Sequence, residues 1–171
     1  MDNRIRPLLG RALLCAALCF VLSARADDPR DSLRGIGQVK LQVGASLLGD
    51  DKGCDLSNSE LETAAAYVLS NSRLRLDPAA RDVVSIVVFA TTIGDGRGRA
   101  TACVAAIDID LYANIDFTVR STGKRSINSN VTIWHVLGSA ASSPEDFRRQ
   151  TMNAVEDMAK QFVVRWTAEN P

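Results

Sequence analysis

A single histidine, His135, stands in a chain of 171 residues. That leaves little material for imidazole chemistry or for a histidine-rich metal centre. No HExxH helix, no CxxC pair and no G-x-S-x-G elbow occurs, so the common signatures of zinc hydrolases, redox proteins and α/β-hydrolases are missing. An excess of either charge is lacking too, since 20 basic side chains meet 20 acidic ones. A surface balanced in this way has no electrostatic footprint for nucleic acid or anionic lipid.

Long apolar runs are absent except at the N-terminus, where "ALLCAALCFVL" (Ala12 to Leu22) follows the basic residues Arg4, Arg6 and Arg11. Its 11 residues fall short of the roughly 20 that span a bilayer as a helix. "ARA" (Ala24 to Ala26) then offers small residues at the two positions a signal peptidase reads. Residues 1–26 are therefore expected to be a cleaved signal peptide, with export to the periplasm or beyond and no integral membrane span afterwards. Cys15 and Cys19 lie inside the apolar run after leucine rather than after a small residue, which argues against a lipid-attachment site.

The remaining chain, 27–171, is one domain's worth and large enough for a core of its own. Cleavage removes four arginines and Asp2, which leaves a net charge of about −3. Of the four cysteines only Cys54 and Cys103 remain. In an oxidising compartment a disulfide is the expected fate of such a pair. It closes a loop of about 50 residues, worth roughly 4 kcal/mol in chain-entropy terms. A catalytic thiolate at Cys54, just before a helix start, is the lesser alternative.

Periodicity gives the elements. Residues 27–35 are polar, with Pro29 and Gly35, and read as a loose lead-in. Val39, Leu41 and Val43 alternate with Lys40 and Gln42 as a half-buried strand. Ser57 and Glu60 fit a capping box, and Leu56 with Leu61 a hydrophobic staple, at the start of a helix. Leu61, Ala64, Ala65, Val68 and Leu69 form its buried stripe. "DVVSIVVFATTI" (Asp82 to Ile93) is β-branched and apolar on both parities, which suits a central strand covered on both faces. The glycines of "GDGRGR" are followed by another strand rather than a helix, so they read as a hairpin loop and not a phosphate cradle.

From Cys103 to Val119 every odd position is apolar, while Asp108, Asp110, Tyr112, Asn114, Asp116 and Thr118 take even positions. A period of two kept this long predicts one long strand with a bend or bulge near "YAN". Its partner, "INSNVTIWHVL", places Ile127, Val131, Ile133 and Leu137 on one parity. Matching the two apolar faces through a three-residue loop sets Tyr112 opposite Trp134, Asp116 opposite Asn130 and His135 opposite Leu111, inside the core. Ser143, Pro144, Glu145 and Asp146 then open a last helix, with Phe147, Thr151, Ala154, Val155, Met158, Phe162 and Trp166 as its buried stripe.

The expected fold is α+β in the order β-α-β-β-β-α, a single antiparallel or mixed sheet with two helices on one face. That order resembles small bacterial envelope α/β modules, such as the N-terminal domain of TolB and the periplasmic parts of CsgG- and LptE-type proteins. The resemblance covers the mature chain as an order of elements, and it implies an envelope setting without carrying over any functional residue.

The candidate chemistry lies on the long strand. Asp108 and Asp110 point the same way, about 7 Å apart at Cα, and with Tyr112, Asp116 and Trp134 define a candidate binding face. Three uses are open to it. The face serves a non-enzymatic accessory or assembly factor that binds another envelope protein, or it binds a small ligand or divalent cation through Asp108 and Asp110. The third use, a hydrolase, combines the Asp pair with His135. No resident metal or cofactor is expected.

Overall fold

The computed structural model describes residues 33–48, 54–95, 100–118 and 121–171, with only the backbone at 116–118 and 126–130. The expected signal peptide and the first residues of the lead-in lie outside the described residues. The described residues form seven elements in order: β1 (Gln38–Leu47), α1 (Asn58–Ser70), β2 (Arg75–Leu76), β3 (Val83–Gly94), β4 (Ala100–Thr118), β5 (Arg125–Ser142) and α2 (Pro144–Glu169). They build an α+β fold with one mixed sheet in the order β2-β1-β3-β4-β5. β1 runs parallel to both β2 and β3, whereas β3, β4 and β5 form an antiparallel meander. The two-residue β2, in "RLRL", is an element the periodicity is too short to reveal.

The helices pack against one face. Val39 of β1, Val84, Ile86, Val88 and Ala90 of β3, and Cys103 to Ala113 at odd positions of β4 are buried there. They meet Leu61, Ala64, Ala65, Val68 and Leu69 of α1, the five residues of the predicted stripe. From α2 come Phe147, Thr151, Val155, Met158, Ala159, Phe162 and Trp166; Ala154 sits at the margin and Ala159 takes its place. The Cys54–Cys103 disulfide, with Cα atoms 5.7 Å apart, ties the segment before α1 to β4.

Two local expectations are corrected. The capping box at α1 does not form: the Ser57 hydroxyl bonds the Ser59 hydroxyl at 2.8 Å, with no side-chain bond to the helix amides. The Glu60 carboxylate reaches instead across to Arg148 of α2, away from the Ser57 N–H that a capping box would use. The end of the lead-in is held rather than loose. Leu33 is fully buried and its N–H bonds Glu169 Oε2 at 2.5 Å, while the Asn170 side chain bonds both Gly35 N–H and Leu33 C=O. Trp166 Nε1 donates to the Ile36 carbonyl at 2.7 Å.

The largest departure is the register of β5. Irregularities fall between Leu111 and Tyr112 and between Ala113 and Ile115, flanking "YAN", where the alternation predicts them. At the first, Ile133 is the extra residue on β5; at the second, Ser129 and Asn130 oppose Asn114. Each bulge slides the pairing by one residue, and the hairpin closes at Thr118–Arg125 rather than Ser121–Arg125. Beyond Ile133 the strand is therefore one residue out of the predicted register, and a slip of one exchanges the faces. Trp134 and Val136 turn to the core, and His135 and Leu137 turn away from it.

Candidate functional site

The second face of the sheet carries no helix among the described residues. Its rows follow from the pairing: Ser85–Asp110–His135, Val87–Asp108–Leu137 and Phe89–Ala106–Ser139 across β3, β4 and β5, with Val83–Tyr112–Thr132 at one end. β3 is apolar on both parities, as read from the sequence, yet only the even parity is covered. Val83 and Val87 stay partly exposed, Phe89 is 44% exposed and Leu137 71%.

Of the predicted face, Asp108, Asp110 and Tyr112 lie here together. Tyr112 Oη donates to Asp110 Oδ2 at 3.0 Å. That bond raises the Tyr112 pKa above its ordinary value, because the carboxylate holds the phenol proton; burial and the Asp110 charge add to it. Asp116 is placed by its backbone alone, opposite Ile127. Trp134 is not on this face. It pairs with Leu111 and its ring lies 5.1 Å from that of Phe162 in α2, so the expected Tyr112–Trp134 pair does not form. His135, expected in the core, takes the place opposite Asp110 and is exposed. Sequence reasoning missed His135, Leu137 and Ser85 on the face; the first two follow only once the bulge expected near "YAN" adds its residue, Ile133, to β5 rather than to β4.

Asp108 is perturbed as well. Val87 and Leu137 flank it across the strands, and Oδ1 is buried with no hydrogen-bond partner among the described residues. Burial pushes its pKa above the ordinary 3.8, the Asp110 carboxylate pushes the same way, and His135 opposes them.

No family model and no curated protein matches this chain. Solved structures do, in outline. PelC from the dodecamer of Paraburkholderia phytofirmans is 14% identical with a TM-score of 0.44, over 74% of this chain and 88% of that one. A minor lipoprotein from Acinetobacter baumannii is 10% identical with a TM-score of 0.39, over 79% and 93%. The rare lipoprotein B of Shewanella oneidensis is 12% identical with a TM-score of 0.28, over 75% and 91%. Two of the three are named as lipoproteins. At these scores the likeness is one of outline and assigns no role to a residue.

The geometry bounds the chemistry directly. Ser85, Asp110 and His135 share a row, but the aspartate stands between the other two. Ser85 and His135 are thus two strand spacings apart, about 9.6 Å, and the imidazole does not reach the hydroxyl as a serine nucleophile requires. A cavity of about 340 Å³ runs along Glu145, Arg148, Arg149, Met152 and Glu156 of α2, in the helix layer rather than over the carboxylates. Among the described residues no three His, Cys, Asp or Glu side chains come together to hold a metal ion. No described helix is long and apolar enough to cross a membrane. The face presents a shallow apolar surface with two carboxylates, an imidazole and a phenol at its centre.

Proposed function

We propose that this protein is an exported, non-enzymatic accessory or assembly factor of the cell envelope that holds a partner protein against the open face of its sheet. The observation that carries the reading is β3: both parities are apolar, and the fold covers one of them. Val87, Phe89 and Leu137 offer a partner apolar contact, and Asp108 and Asp110 favour a basic side chain on it. Export rests on the basic and apolar start of the chain.

Photo-crosslinking in the native host tests this. A crosslinker at position 89 or 137 is expected to trap one protein, and the same probe at Tyr67, 67% exposed on α1, is expected to trap none. The partner, once identified and purified, should bind wild type at least tenfold more tightly than Phe89→Asp, about 1.4 kcal/mol. Adducts that do not depend on the face would sink the proposal.

The second reading, a small-ligand binder, keeps one observation of its own: the unpartnered Asp108 Oδ1, which a donor group of a ligand would satisfy. Aspartates two apart on a strand also leave a divalent cation as an alternative occupant. A melting temperature unmoved by calcium, magnesium and a panel of amine and hydroxyl metabolites removes this reading.

A further inference from the structure

The two edges of the sheet differ. One ends in the two-residue β2, and the other is the 18-residue β5. Natural sheets blunt exposed edges with bulges, charges, proline or shortness. The first half of β5 has such devices: Arg125 at its start and both bulges between Asn128 and Ile133. From Trp134 to Ser142, "WHVLGSAAS", the ladder to β4 is regular, and the segment has no proline and no Lys, Arg, Asp or Glu. Among the described residues no backbone bond outside the β4–β5 ladder reaches it. Every second residue of this segment therefore turns its N–H and C=O to an unpaired edge.

We propose that Trp134–Ser142 pairs antiparallel with the same segment of a second copy, joining two five-stranded sheets into one. The segment suits its own copy. Without ionised carboxylates or ammonium groups, self-pairing sets no like charges opposite each other. The faces also agree. A pairing that matches even positions with even ones, for example across Gly138, keeps Trp134 and Val136 of both copies under the helix layers. It sets Leu137 opposite Ser139 of the second copy, with the two Leu137 side chains diagonal neighbours about 7–8 Å apart. The 71% exposed Leu137 then has apolar company, which one copy alone does not give it. A match of even with odd would turn the core residues of one copy outward, and parity excludes it. This proposal goes beyond the partner on the open face, because it concerns the backbone edge.

The experiment is sedimentation of the chain from Asp27 over a concentration series, joined to amide exchange. Wild type is expected to reach twice the mass of one chain, with alternate amides of 134–142 exchanging more slowly in the dimer than after dilution. Ser139→Lys, on the edge, is expected to sediment as one chain with an unchanged circular dichroism spectrum. Phe89→Lys, on an interior strand of the same face, is expected to remain dimeric. A wild type of single-chain mass at every concentration overturns the proposal. So does a dimer that survives Ser139→Lys, or one lost with Phe89→Lys, since either would place the contact elsewhere. Should Ser139→Lys unfold, the exchange pattern of wild type decides alone: dimer formation without slowed edge amides overturns the idea.

Discussion

Asp108 shows how a residue on an uncovered face can still be strained electrostatically. Its neighbours across the ladder, Val87 and Leu137, withdraw water from one carboxylate oxygen without replacing its hydrogen bonds. The folded pKa is raised, so between the ordinary value of 3.8 and that raised value the folded state holds more proton than the unfolded chain. Stability therefore falls as pH rises through this window, and the ionised group works against folding above it. Asp108→Asn removes the ionisation and keeps the shape. It is expected to raise the melting temperature at pH 7 by about 1–3 °C. The gain should shrink as the pH falls and vanish below 3.8, which melts at stepped pH would read out. A variant less stable than wild type at pH 7 would mean that the carboxylate has a partner it needs.

At the scale of elements, what was legible is what depends on period alone. The buried stripe of α1 agrees residue for residue with its sequence pattern, and the odd parity of β4 is buried from Cys103 to Ala113. What was not legible depends on counting across a turn. β5 gains a residue at each of two bulges, so apolar parity holds at Val131 and Ile133, between and at the bulges, and points the wrong way beyond Ile133. Leu137 looks like a core residue by spacing and is in the open, while Trp134, placed outside, packs on Phe162. The candidate face was accordingly half-read: its aspartates and tyrosine belong to regular β4, its histidine to the slipped β5. Between elements, the one long-range tie that sequence did suggest is Cys54–Cys103, which spans 49 residues and anchors the start of α1 to the central sheet. Replacing both cysteines by alanine is expected to cost about 4 kcal/mol. For a domain of this size that lowers the melting temperature by roughly 8–16 °C. Reduced wild type should melt at nearly the same point, and a drop of under about 2 °C in both would show that the bond constrains little.

Over the whole molecule, the two ends of the described fold are closed on each other. The last turn of α2 meets the strand's approach to β1: Asn170 accepts from Gly35 N–H at 2.8 Å and donates to the carbonyls of Leu33 and Trp166, each at 2.9 Å. Arg73, beyond the end of α1, bonds the Asn170 carbonyl at 2.8 Å, so three separate segments converge on one residue. This clasp matters to the face on the other side of the sheet. α2 covers β4 and β5 from the core side, and Met158 lies so close to Gly138 that a Cβ there would meet its sulfur at 2.5 Å. A helix fixed at its far end holds that close approach, and with it the line of β5 whose outer side carries His135 and Leu137. Loosening the clasp should therefore be felt at the edge. Asn170→Ala removes three hydrogen bonds made by the side chain and leaves the backbone contact with Arg73. At about 1 kcal/mol per bond the expected loss is about 2–3 kcal/mol, or 4–12 °C in melting temperature. Amides of Leu33 to Gly37 should exchange faster first, and those of Trp134 to Ser142 should follow as α2 lifts. Lys160→Ala, on the exposed side of the same helix, should leave the exchange of both sets of amides unchanged. If Asn170→Ala frees the N-terminal segment and leaves β5 untouched, the helix is held by its packing on Trp134 and Gly138 alone, and the clasp serves only to fasten the chain's beginning.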